Sequence, residues 1–105
     1  MVKEIKTIEE FQNVLLNEKV IIDFYADWCV PCKKLAPKFQ ELSNQLDYIT
    51  FIKINVDNEE IVSVIEKYNI KALPTFVFIK NSKEEDVYRV VGSDFSKVVE
   101  NVKLL

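Results

Sequence analysis

Histidine is absent from this 105-residue chain, and cysteine occurs only twice, at positions 29 and 32. Zinc and iron-sulfur sites usually draw four Cys or His ligands, so metal binding by these two thiols would need a second chain. Glycine occurs once and proline three times, with no Ser, Gln or Asn tract, and nothing reads as a linker, repeat or low-complexity segment. No apolar run approaches the roughly 18 residues of a membrane span, and no signal peptide or anchor is visible after Met1. The expectation is a cytoplasmic protein with no membrane partner. Net positive charge is absent as well: the formal net charge is -3, acids and bases are interspersed, and Arg89 is the only arginine. Such a surface lacks the basic face that neutralises phosphates, which argues against a nucleic-acid partner.

What the chain does have is hydrophobic residues, 49% of the total. At this length they suffice for one compact domain, residues 1–105, with a core that needs no disulfide or metal as a staple. Thr7-Ile8-Glu9-Glu10 is a capping-box pattern ahead of Phe11, Val14 and Leu15, and predicts a first helix over about 8–17. Val20-Ile21-Ile22-Asp23-Phe24-Tyr25 reads as a strand buried on both faces, within 19–26. Leu35, Phe39, Leu42 and Leu46 mark a long amphipathic second helix after Cys29, bent at Pro37 because a proline there removes a hydrogen bond. A strand over 49–56, then a helix opened by Asp57-Asn58-Glu59-Glu60 and fading near Tyr68-Asn69, complete an alternation that calls for parallel strands and helical crossovers. Strands over 75–80 and 87–91 flank the polar loop Asn81 to Glu85 as a hairpin, and Ser93 or Asp94 caps a last helix. Val2 to Ile5 adds a short edge strand. The fold class is α/β, a mixed sheet with helices on both faces.

The two cysteines stand three residues apart at a strand-to-helix junction, a redox spacing. On a first helical turn their Cα atoms can meet the roughly 4.4–6.8 Å that a disulfide requires without rebuilding the backbone. As a staple the bond would be weak, about 2 kcal/mol for so short a loop. Cys29, at the helix N-terminus, is the expected nucleophile, because free N-H groups and the helix dipole stabilise a thiolate. Cys32, one turn deeper and more enclosed, is placed to attack a mixed disulfide on Cys29 and resolve it.

Ala26-Asp27-Trp28-Cys29-Val30-Pro31-Cys32-Lys33 resembles the active-site segment of the thioredoxin family. Asp23-Phe24-Tyr25-Ala26, Lys53-Ile54-Asn55-Val56-Asp57, Leu73-Pro74-Thr75 and Val91-Gly92 follow the family's order and approximate spacing, so the resemblance covers nearly the whole chain. It implies the thioredoxin fold, a central mixed sheet of four to five strands flanked by four helices. It implies a monomeric protein-disulfide reductase with no cofactor beyond the Cys29-Cys32 couple. The partners implied are disulfide-containing proteins and a thioredoxin reductase or equivalent electron donor.

Asp23 is an acid inside an apolar central strand, where burial raises a carboxyl pKa. The resemblance makes it the proton acceptor for Cys32, whereas the plainer reading is a satisfied structural acid. Lys53, on the adjacent strand, either brings its ammonium toward Asp23 and modulates it, or snorkels to water. The resemblance implies a cis peptide before Pro74, facing the cysteines, with extended substrate pairing beside it. On this basis Trp28, Val30, Pro31, Leu73, Pro74, Thr75 and Gly92 form the substrate-binding set, with Ile70 and Ala72 as a further apolar contact. Trp28 as a core residue and Pro74 as an ordinary strand-entry proline are the alternatives.

Three departures from the family stand out. Val30 occupies a position where Gly is commonest, stiffening the turn and adding bulk beside Cys29. Asn81-Ser82 lacks the Gly that often follows Asn, so a tight hairpin turn is less evident, and Ala72 stands where some relatives carry Gly. Val30 leaves an oxidase or isomerase open as the redox direction, and the fold could also serve as a binding platform with dispensable cysteines.

Overall fold

A computed structural model describes residues 1–105. The elements follow as β1 (Val2–Glu4), α1 (Ile8–Val14), β2 (Lys19–Tyr25), α2 (Val30–Gln45), β3 (Thr50–Asn55), α3 (Val62–Lys67), β4 (Thr75–Lys80), β5 (Asp86–Val91) and α4 (Phe95–Asn101). Five strands form one sheet in the order β1-β3-β2-β4-β5. The first three are mutually parallel, and β4 and β5 close it as an antiparallel hairpin. This is the mixed sheet that the alternation followed by a hairpin implies.

Two apolar layers sandwich the sheet. On one face, Val20, Ile22 and Phe24 of β2 join Ile52 and Ile54 of β3, with Phe11 and Val14 of α1 and Val64 of α3 packed over them. On the other, Ile21, Phe51, Phe76 and Phe78 meet Leu35, Phe39 and Leu42 of α2 and Val98 of α4. Alternate strand residues point to opposite faces, so Asp23 and Lys53 share the α2 side with Ile21 and Phe51. Three edge-on or tilted ring pairs, Phe39–Phe51, Phe39–Phe76 and Phe76–Phe95, stitch that layer.

Local chemistry sets the element ends. Glu10 N-H donates to Thr7 Oγ1 at 3.1 Å and Thr7 N-H to Glu10 Oε1 at 3.2 Å, completing the capping box. The first helix nevertheless stops at Val14, three residues short of the expectation, because Leu16 and Asn17 N-H groups turn back to Asn13 and Val14 carbonyls. Helix α2 runs unbroken through Pro37. The segment expected to open a helix at Asp57 instead forms a 3-10 turn, Glu59–Ile61, capped by Asn58, whose side chain accepts from Glu60 N-H at 3.0 Å. The α-helix proper begins only at Val62.

The hairpin loop departs from expectation in the other direction. Asn81 and Ser82 both take left-handed φ values of 61° and 59°, and Lys83 N-H donates to the Lys80 carbonyl at 3.3 Å. A tight turn thus forms without glycine. It is held from outside: Asn81 N-H reaches the Glu18 carbonyl at 2.7 Å and Ser82 Oγ donates to the Leu16 carbonyl at 3.2 Å.

Candidate active site

The parallel strands β2 and β3 end at the same edge of the sheet, where sites in α/β folds collect. The chain leaves β2 at Tyr25, passes Ala26, Asp27 and Trp28, and enters α2 with Cys29 as the N-cap residue. Pro31 lies in the first helical turn, where its missing N-H costs nothing. Cys29 Sγ accepts a hydrogen bond from Cys32 N-H at 3.3 Å, one of the N-terminal donors the helix itself leaves free. Cys29 and Cys32 form a disulfide, with Cα atoms 5.3 Å apart.

The enclosure of the two thiols differs less than expected. Cys29 is 5% exposed and Cys32 3%; they cluster with Ala26, and Tyr25, Val56 and Leu73 pack against that cluster. What separates them is the groove of about 620 Å³ beside the helix tip: Cys29 lines it, together with Trp28, Val30, Pro31, Ile70 and Leu73, and Cys32 does not. Trp28 is 68% exposed, which places it on the surface rather than in the core, and its Nε1-H donates to Asp57 Oδ2 at 2.9 Å. Val30 stands exposed at the first position of α2.

The opposite wall is the loop before β4. The Leu73–Pro74 peptide is cis. Thr75, buried, donates its hydroxyl to the Ala72 carbonyl at 2.6 Å, and Gly92 N-H donates to the Pro74 carbonyl at 2.9 Å. The loop is therefore held from both sides, while Leu73 N-H and C=O make no hydrogen bond within the chain. Gly92 has φ +104°, a conformation glycine alone adopts readily, and a Cβ there would meet nothing within 4 Å. Its contribution is a backbone shape and a donor, not a close approach.

Beneath the helix, Asp23 is 4% exposed and its Oδ1 has no hydrogen-bond partner. Burial pushes its pKa up to about 7, and the Lys53 ammonium opposes that rise. Lys53 stands directly opposite Asp23 in the β2–β3 register, yet the two form no ion pair within 4.0 Å. Its Nζ lies 5.4 Å from the centre of the Tyr25 ring. The lysine is thus half-buried and not bonded to Asp23.

Two groove residues escaped the sequence reading, Val56 and Lys71. Val56 directly follows β3, and projecting the carboxyl ends of the parallel strands would have found it. Lys71 gives no such signal, being one charge among many. Ala72 also lines the groove, as its place before Pro74 suggested.

The thioredoxin family model matches residues 2–103. Over 104 residues the chain is 36% identical to thioredoxin-1 of Schizosaccharomyces pombe, covering 98% of this chain and 97% of that protein. It is also 35% identical over 106 residues to a Caenorhabditis elegans peptide-N(4)-(N-acetyl-beta-glucosaminyl)asparagine amidase, matching 97% of this chain but spanning only 17% of that relative's length. The solved structure of Plasmodium falciparum thioredoxin superposes with a TM-score of 0.88 at 37% identity, over 97% of each chain. With the fold, the disulfide-forming pair and the sequence in agreement from one end to the other, the chain belongs to the thioredoxin family of thiol-disulfide oxidoreductases.

Proposed function

We propose that this chain reduces disulfides in other proteins, acting as a single monomeric domain over residues 1–105. The Cys29 thiolate attacks one sulfur of the substrate disulfide, forms a mixed disulfide and expels the first substrate sulfur as a thiolate, which takes a proton from solvent. Cys32 then gives its proton to Asp23 and attacks Cys29 Sγ, closing the Cys29–Cys32 bond and expelling the second substrate sulfur as a thiolate that is likewise protonated from solvent, while Asp23 returns its proton to solvent. Two electrons pass to the substrate, and a thioredoxin reductase or an equivalent dithiol donor restores them. The couple itself is the only redox group required.

The observation that carries this reading is the placement of the pair: Cys29 opens onto an apolar groove while Cys32 lies behind it, 5.3 Å away between Cα atoms. The Cys32 N-H that meets Cys29 Sγ supports a thiolate there. A carboxyl whose pKa is raised to about 7 is partly deprotonated near neutrality and can both accept a proton and hold it. Lys53 modulates Asp23 by opposing its desolvation. Leu73, with unpaired backbone groups, offers an extended substrate segment a strand-like partner, and Pro74, Thr75 and Gly92 fix that edge. Trp28, Val30 and Pro31 supply the facing apolar contact. A reducing compartment, the cytoplasm, suits this direction of electron flow.

Reduced Cys32→Ser protein mixed with oxidised insulin tests the assignment. It is expected to accumulate an insulin adduct on Cys29, while Cys29→Ser gives neither adduct nor reduction. An adduct on Cys32 in the Cys29→Ser protein, or insulin reduction by that variant, would contradict the order of attack.

A further inference from the structure

The edge strand carries a charge that the mechanism above leaves unused. Glu4 of β1 stands opposite Lys53 of β3, which stands opposite Asp23 of β2, so acid, base and acid form one row across three parallel strands. Residues directly opposite in register present their side chains to the same face. Lys53 therefore stands in register between two acids, one at the edge of the sheet and one buried. It pairs within 4.0 Å with neither and rests over the Tyr25 ring, 5.4 Å from its centre. Tyr25 belongs to the same corner: burial, then the Glu4 carboxylate, push its phenol above the ordinary range.

We infer that Glu4 is a positioning residue for Asp23, acting through Lys53 by holding the ammonium on the outer side of the row. The functional consequence rests on the reading of Asp23 as proton acceptor, whereas the coupling itself does not. With Glu4 charged, the lysine is shared. With Glu4 neutral, Lys53 answers to Asp23 alone, and the buried carboxylate is better stabilised. The other groups at this corner do not supply the same effect. Phe76 of β4, opposite Asp23, is uncharged, and Leu35 and Phe39 of α2 are apolar. On the β2 side the remaining groups are Tyr25 and, just beyond the strand, Asp27, whose negative charge also bears on Tyr25. The cysteine pair, when oxidised, does not titrate.

The test is the titration midpoint of the Asp23 carboxyl, followed by carbon-13 NMR in the oxidised full chain. Glu4→Gln is expected to lower the midpoint by about half a unit or more, an interaction of the size two charges a strand apart exert near a surface. Glu4→Asp, which keeps the charge, is expected to restore most of it. In a Lys53→Met background Glu4→Gln is expected to have little effect. An unchanged midpoint in Glu4→Gln, or an equal shift in the Lys53→Met background, would overturn the inference. A midpoint that moves while the pH profile of mixed-disulfide resolution does not would support the coupling and remove Asp23 from the proton-transfer step.

Discussion

Replacing Asp23 with asparagine is expected to flatten the pH dependence of stability in the oxidised protein between about pH 5 and pH 8. The sign follows from which state holds the proton. An unfolded Asp releases it near 3.8, whereas the buried Asp23 keeps it until about 7. The folded state thus binds more protons than the unfolded state across this window, so stability is fully present below the unfolded value and is lost as pH rises through the folded one. At about 1.4 kcal/mol per unit, the whole displacement corresponds to about 4 kcal/mol. Part of it is already gone at pH 5, leaving a fall of about 2 to 3 kcal/mol on to pH 8. The chain has no histidine to titrate in this window, which helps to isolate the effect. Urea unfolding of both proteins at several pH values, with linear extrapolation, measures it. In thermal unfolding the native chain should lose about 10 °C or more over the same range. Parallel curves for Asp23→Asn and the native chain would refute the burial argument.

The remaining predictions concern the backbone. Gly92→Ala places a side chain at φ +104° and is expected to cost about 1 to 3 kcal/mol, read as a lower urea midpoint, although no neighbour blocks the new Cβ. Ser82→Gly relieves a left-handed φ of 59° and is expected to leave stability unchanged or raise it by about 1 kcal/mol, whereas a clear loss would mean that the Ser82 hydroxyl bond to the Leu16 carbonyl outweighs the conformational gain.

The chemistry was easier to read from the chain than its surroundings. Cys29 and Cys32 announce themselves as the only thiols, at a spacing a disulfide accepts, and Asp23 as an acid in an apolar run. The β4–β5 hairpin was visible because β-branched and aromatic residues flank a polar loop. What stayed hidden depends on partners distant in sequence. The left-handed Asn81-Ser82 turn is held by Glu18 and Leu16, which local propensity does not see. The near-equal burial of the thiols comes from Tyr25, Val56 and Leu73, brought together only by the sheet. The position of Lys53, half-buried and unpaired, was open in the sequence because it depends on the register that sets Glu4 and Asp23 on either side of it. The α-helix expected from Asp57 begins only at Val62 because the chain first makes the 3-10 turn Glu59–Ile61, which Asn58 caps.

The most direct test of the account is a glutathione redox titration of the purified chain, with the Cys29–Cys32 bond scored by thiol trapping and mass. A reversible two-electron couple with a midpoint at or below roughly -220 to -260 mV, the cytosolic glutathione poise, is the predicted result. A midpoint tens of millivolts above that range would make the chain an oxidant or isomerase, and failure to form the bond reversibly would contradict the redox role of the pair.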